Sequence, residues 1–287
     1  MKHLATREAA VLAAVGIVKE GRVYDLDPGR FPGMPAWAGH PPLQVVTYRS
    51  PQGLRNQGDQ PQFTEGTRVP TAIISDMVIA GMHTGAHIDA LCHVTSGDDD
   101  AWHGGFSASQ HLGDFGALRD DASQLPAIVA RGVLIDCARH AGVSRLGPAH
   151  PITLDEFESA RADQGVEIRA GDVVLIRTGQ MSVWPDRDAW DQARGAGITL
   201  PVSERLVGAG VIAIGADTEA VEVTPSVIPG DPQPVHVHAL VEHGVHLLED
   251  LYLEELGKDQ VNQFLLIVAP PKITGATGSF IRPLAIV

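Results

Sequence analysis

A chain of 287 residues with 44% apolar content is neither disordered nor fibrous, and is long enough for one large domain or two small ones. Its formal charge of −14 disfavours nucleic acid as a partner, because phosphate would be repelled. Two cysteines, Cys92 and Cys137, make no disulfide framework, and neither a run of about 18 apolar residues nor a signal-peptide pattern stands out; the expectation is a cytoplasmic protein that does not enter a membrane.

Residues 6–20 read as a helix, with Thr6 as N-cap and Gly21 just past the end. Pro28, Pro32, Pro35, Pro41 and Pro42 exclude regular helix or central strand from residues 28–42. Phe31 and Trp37 in that loop are candidates for lining a binding site. Residues 43–48 read as a strand, 50–68 as a polar, mobile loop, and 72–77 as a strand.

That strand leads into residues 83–93, HTGAHIDALCH, where His83, His87, Asp89 and His93 fall within eleven positions. Imidazole nitrogen and carboxylate oxygen are donors that zinc or manganese accepts. Gly85 suits a tight turn. Beyond it, His87, Asp89, Leu91 and His93 stand at period two. In an extended segment they face a cavity, while Ile88, Ala90, Cys92 and Val94 face a core. Gathering unpaired imidazoles and carboxylates without a partner is costly, so this density predicts a metal or catalytic site rather than a loop. Cys92 is read as a packing residue. The acids Asp98, Asp99 and Asp100 lack the spacing of a calcium loop and are read as solvated, with Trp102 and His103 as secondary candidates for reaching the site.

The remainder alternates strand and helix. Strands are expected over 132–136, 173–177, 211–214, 245–248 and 264–268, and helices over 153–164, 201–208 and 235–243. This predicts a mixed α/β (α+β) chain. Neither a glycine-rich phosphate loop nor GxSxG is present, which argues against nucleotide and serine-nucleophile enzymes. A second polar cluster holds His236, His238, His243, His246 and Glu249. His236 and Glu249 are the candidates for a second metal position or a hydrogen-bonding wall, and His243 and His246 are read as surface or packing residues.

With these residues in view, the chain resembles the metal-dependent cyclase family, which includes bacterial kynurenine formamidases and isatin hydrolases. Its signature HxGTHxDxPxH reads here His83-x-Gly85-Ala86-His87-x-Asp89-x-Leu91-x-His93, with Ala86 in place of Thr and Leu91 in place of Pro. The resemblance implies a swivelling β/β/α fold with a mixed sheet in a single domain over 1–287, assembled as a homodimer or larger oligomer. It also implies hydrolysis of an amide or lactam in a small-molecule substrate. His83, His87 and Asp89 would hold the principal metal and His93 would be the acid/base. Asp89 could bridge to a second ion held by Glu249 and His236 or His238. Family members use two zinc ions or one manganese ion.

Overall fold

The computed structural model describes residues 2–63 and 65–287. Its framework is a nine-stranded sheet in the spatial order Val23–Asp25, Leu284–Ile286, Gln263–Val268, Ile128–Asp136, Val173–Arg177, Ala213–Ala216, His246–Glu249, His87–Asp89, Gly278–Phe280. Four central strands, Ile128–Asp136 to His246–Glu249, run parallel. The strands on either flank are antiparallel. Parallel neighbours need crossovers, and these carry the helices Leu154–Asp163, Leu200–Gly208 and Pro234–His236, the last continued by a π turn at Val237–Glu242.

Parallel strands covered on both faces should read as unbroken apolar runs, and Val173–Arg177 is buried throughout. Alternate side chains feed two cores. Leu134, Val173, Leu175 and Leu248 join one, closed over by Trp102 and the C-terminal strands. Val133, Ile135, Val174, Ile176 and Leu247 join the other, beneath Phe157, Val202, Leu206 and Leu240 of the crossover helices. The mixed α/β architecture expected from the sequence is the one observed.

Several local expectations are corrected. The first helix is Lys2–Val15, so Thr6 lies inside it rather than capping it. Residues 50–68 are not one loop: Ser50 Oγ accepts from Gly53 N at 3.2 Å and caps a helix Pro51–Gln57, with Pro51 in its first turn. Among the described residues, Gln44–Arg49 and Ser75–Ile79 pair only with each other, as a ribbon apart from the main sheet. A helix at Arg187–Ala193, capped by Asp186, escaped the sequence reading. Among the described residues no helix is long and apolar enough to cross a membrane.

Candidate metal centre

In open α/β sheets ligands gather at the carboxyl ends of the parallel strands. Here Glu249 ends the last of them and is in register with His87 of the antiparallel strand His87–Asp89. Gly85, at φ +67°, makes the turn into that strand. A side chain at Gly85 would press on Met34 and Arg30. Ile88 is buried in the core, so period two puts His87 and Asp89 together on the opposite side.

The extended segment stops at Asp89. His93 N donates to Ala90 O at 3.0 Å, closing a turn. Leu91 and Val94 pack on the helix-side core, so Leu91 does not face the cavity as the alternation suggested. The turn still delivers His93 to the site, with its ring stacked on His83 at 3.8 Å between centroids.

Of the residues expected to ligate metal, His83, His87, His236 and Glu249 meet around Asp89, which is fully buried, and His238 does not. Asp89 Oδ1 lies 2.9 Å from His83 Nδ1 and 3.6 Å from His87 Nε2, and Oδ2 lies 3.8 Å from His236 Nε2. Glu249 reaches His87 Nε2 at 3.1 Å and His236 Nε2 at 3.2 Å. Two overlapping ligand groups result, His83/Asp89/His93 and His87/Asp89/Glu249, each with donor atoms within 4.8 Å of one another. Close as they are, both Asp89 oxygens, His83 Nδ1, His87 Nε2 and Glu249 Oε1 have no hydrogen-bond partner in good geometry. One buried unsatisfied polar atom costs about 1–3 kcal/mol. Five converging on one point fit a divalent cation among oxygen and nitrogen donors.

The electrostatics agree. Burial pushes the Asp89 carboxyl up, but His93, His83 and His87 reverse this and hold it far below the usual carboxylate range. Burial opposes charge on His87, yet Glu249 and Asp89 raise it to about 9. His236 is likewise raised, against burial, by Glu222 and Glu249. Protons on these two rings occupy the places a metal would take, so metal uptake should displace them. His93 differs. Burial lowers it, Asp89 opposes this and His83 and His236 assist, leaving the ring near 4 and uncharged at neutral pH.

An outer layer orients the donors. His87 Nδ1 donates to Gly85 O at 2.8 Å, and His83 Nε2 lies 2.9 Å from Thr277 Oγ1. His246 Nδ1 donates to Asp89 O at 2.8 Å, so this histidine supports the strand from behind. Glu222, missed in the sequence, accepts from Val235 N and His236 N at 3.1 Å each and bonds His236 Nδ1, fixing that ring. A carboxylate behind a ligating imidazole is a recurrent device, and the signal was a glutamate set between Val221 and Val223. Arg30 was also missed: its guanidinium donates to Thr84 O at 3.1 Å and to Ala86 O. Position 86 thus serves through its backbone, while its methyl joins the core, which is why Ala can stand there.

Gly278 is the close approach that makes room for His83. A Cβ there would lie 2.6 Å from His83 Cε1. Gly278→Ala is therefore expected to displace the ring and weaken metal affinity by roughly 10–100-fold, the usual cost of disturbing a ligand's supports. Metal titration of the variant measures this, and unchanged affinity would remove His83 from the ligand set.

Other candidates lie elsewhere. His238 Nδ1 meets Ser203 Oγ at 2.9 Å, away from Asp89. Trp102 is buried in the core and His103 Nδ1 donates to Val241 O, so neither serves the centre. Asp98, Asp99 and Asp100 are exposed, and Cys92 is buried with its thiol pushed up to about 12 by burial. Trp37 packs edge-on against His40 at 5.1 Å, and His40 sits 6.0 Å from His83. Phe31 rests against Trp184.

Sheet order and centre together define a mixed α/β protein with a buried candidate metal site. A structure described as a novel cyclase matches with TM-score 0.84 at 24% identity, covering 97% of this chain and 93% of its own. An isatin hydrolase bound to the product analogue thioisatinate gives TM-score 0.65 at 23% identity, covering 100% and 98%. An isatin hydrolase of Roseibium aggregatum is 28% identical over 220 residues, 73% of each chain. Residues 24–223 match the family described as putative cyclase, and the chain belongs to that family.

Proposed function

We propose that the chain is a metal-dependent hydrolase that opens the C–N bond of a cyclic or aryl amide, a lactam or formamide, with residues 1–287 acting as one domain. The convergence of unpartnered donor atoms on Asp89 carries this reading. His83, His87 and Asp89 would hold the principal ion, zinc or manganese, with His236 and Glu249 completing the set or holding a second one. Such an ion, when bound, supplies Lewis acidity that acidifies water and polarises a carbonyl. His93, uncharged and stacked beside the donors, takes the proton from attacking water and returns it to the leaving nitrogen. Trp37, half exposed beside His40, and Phe31 would flank an aryl ring. The similarity to isatin hydrolases supports the amide class. The exposed apolar ribbon, with Val45, Tyr48, Met77 and Val78, supports a homodimer or tetramer, which we place in the cytoplasm.

The test pairs metal analysis with isotopic water. Purified protein is expected to carry zinc or manganese, to lose turnover of isatin-like lactams or N-formylkynurenine on chelation, and to regain it when metal is restored. In ¹⁸O-water, label should enter the product carboxylate. Turnover without label would point instead to a lyase or cyclase moving a proton at carbon, and full turnover in metal-free protein would end the proposal.

A further inference from the structure

The sequence cluster at 236–249 divides in the fold. His236 and Glu249 turn inward to Asp89, and His238, Glu242 and His243 remain outside. We propose that these three form a second, peripheral site for a borderline divalent transition metal, with zinc as its natural occupant. This inference does not depend on the proposed hydrolase activity.

One donor atom from each residue lies within 4.8 Å of the other two, and the imidazole rings of His238 and His243 are 4.5 Å apart. The π turn at Val237–Glu242 explains the grouping. A turn closed i→i+5 keeps residues five apart on nearly one face, whereas a turn of 3.6 residues carries them apart. A helix over 235–243 read without the π turn does not show this grouping, and from the sequence His243 is read as a surface or packing residue.

His238 is the anchored member. Its Nδ1 lies 2.9 Å from the hydroxyl of Ser203, which is fully buried on the neighbouring helix Leu200–Gly208. That contact fixes the ring and leaves Nε2 for a cation, the division of labour seen where a second partner orients a ligating histidine. Glu242 and His243 are exposed and free to adjust. Zinc bonds of about 2.0–2.1 Å in a tetrahedron put ligand atoms about 3.3 Å apart, so closing from the observed spacing takes only side-chain rotation. Two imidazoles, one carboxylate and water in the fourth place make a zinc-type coordination set, too nitrogen-rich for calcium or magnesium.

The experiment measures zinc bound per chain after dialysis of the full-length protein against micromolar Zn²⁺. His238→Gln/His243→Gln is expected to hold one zinc fewer than wild type. Asp89→Asn, which disables the buried centre, should still take up one zinc and gain thermal stability from it, and adding the two glutamine substitutions should abolish both effects. Glu242→Gln/His243→Ala changes exposed residues only and should reproduce the loss even if substitution at His238 disturbs folding. Equal zinc content in wild type and the peripheral variants would overturn the proposal. So would loss of every zinc from the peripheral variants, which would assign their effect to the buried centre.

Discussion

Asp89→Asn is expected to yield a folded protein that binds no metal at the buried centre and has lost turnover by about 10⁴-fold or more, equivalent to about 5.4 kcal/mol of barrier. Asp89 alone is shared by both ligand groups, and its oxygens face His83, His87 and His236. Asparagine keeps the shape of the side chain while removing the charge that draws a cation among three imidazoles. The backbone supports of the position, pairing with Gly278 and the bond from His246 to its carbonyl, do not depend on the carboxylate. Circular dichroism should therefore match wild type while elemental analysis shows the centre depleted. A variant that retains metal and turnover would refute the whole assignment.

His93→Ala should separate chemistry from metal binding. On the proposed role of His93 as general base, its removal should lower kcat by about 10²–10⁴-fold and leave metal content near wild type. The stack on His83 gives the experiment its edge, because His93 also has a donor atom close to His83 and Asp89. Loss of metal in the variant would make it a ligand. Unchanged kcat would exclude it from the reaction.

How much of this centre was legible depended on distance along the chain. His83, His87, Asp89 and His93 are consecutive enough for their density to speak. His236 and Glu249 stood out for the same reason and apart from His243 and His246, although only the structure separated His236 from His238. Glu222, Thr277, Arg30 and His40 come from four separate segments, and only the folding of the sheet and its connections brings them to the centre. No local pattern could reveal that. The turn at residues 90–93 was hidden by an alternation that imitates a longer strand. What decided it was the pull of Leu91 and Val94 toward the helix-side core. Ser50 and Pro51 were a readable cap, obscured by the polar residues that follow. The strands at Val23–Asp25, Gly278–Phe280 and Leu284–Ile286 are too short for periodicity to announce.

The strand Gly278–Phe280 acts as a clamp on the centre. It pairs with His87–Asp89, and the preceding Thr277 holds His83. All the proposed ligands lie between residues 83 and 249, N-terminal to this clamp. A chain without the clamp in place offers the donors without their final frame. The mature metal geometry thus depends on residues 277–280, which do not touch the ion, as well as on the residues that would.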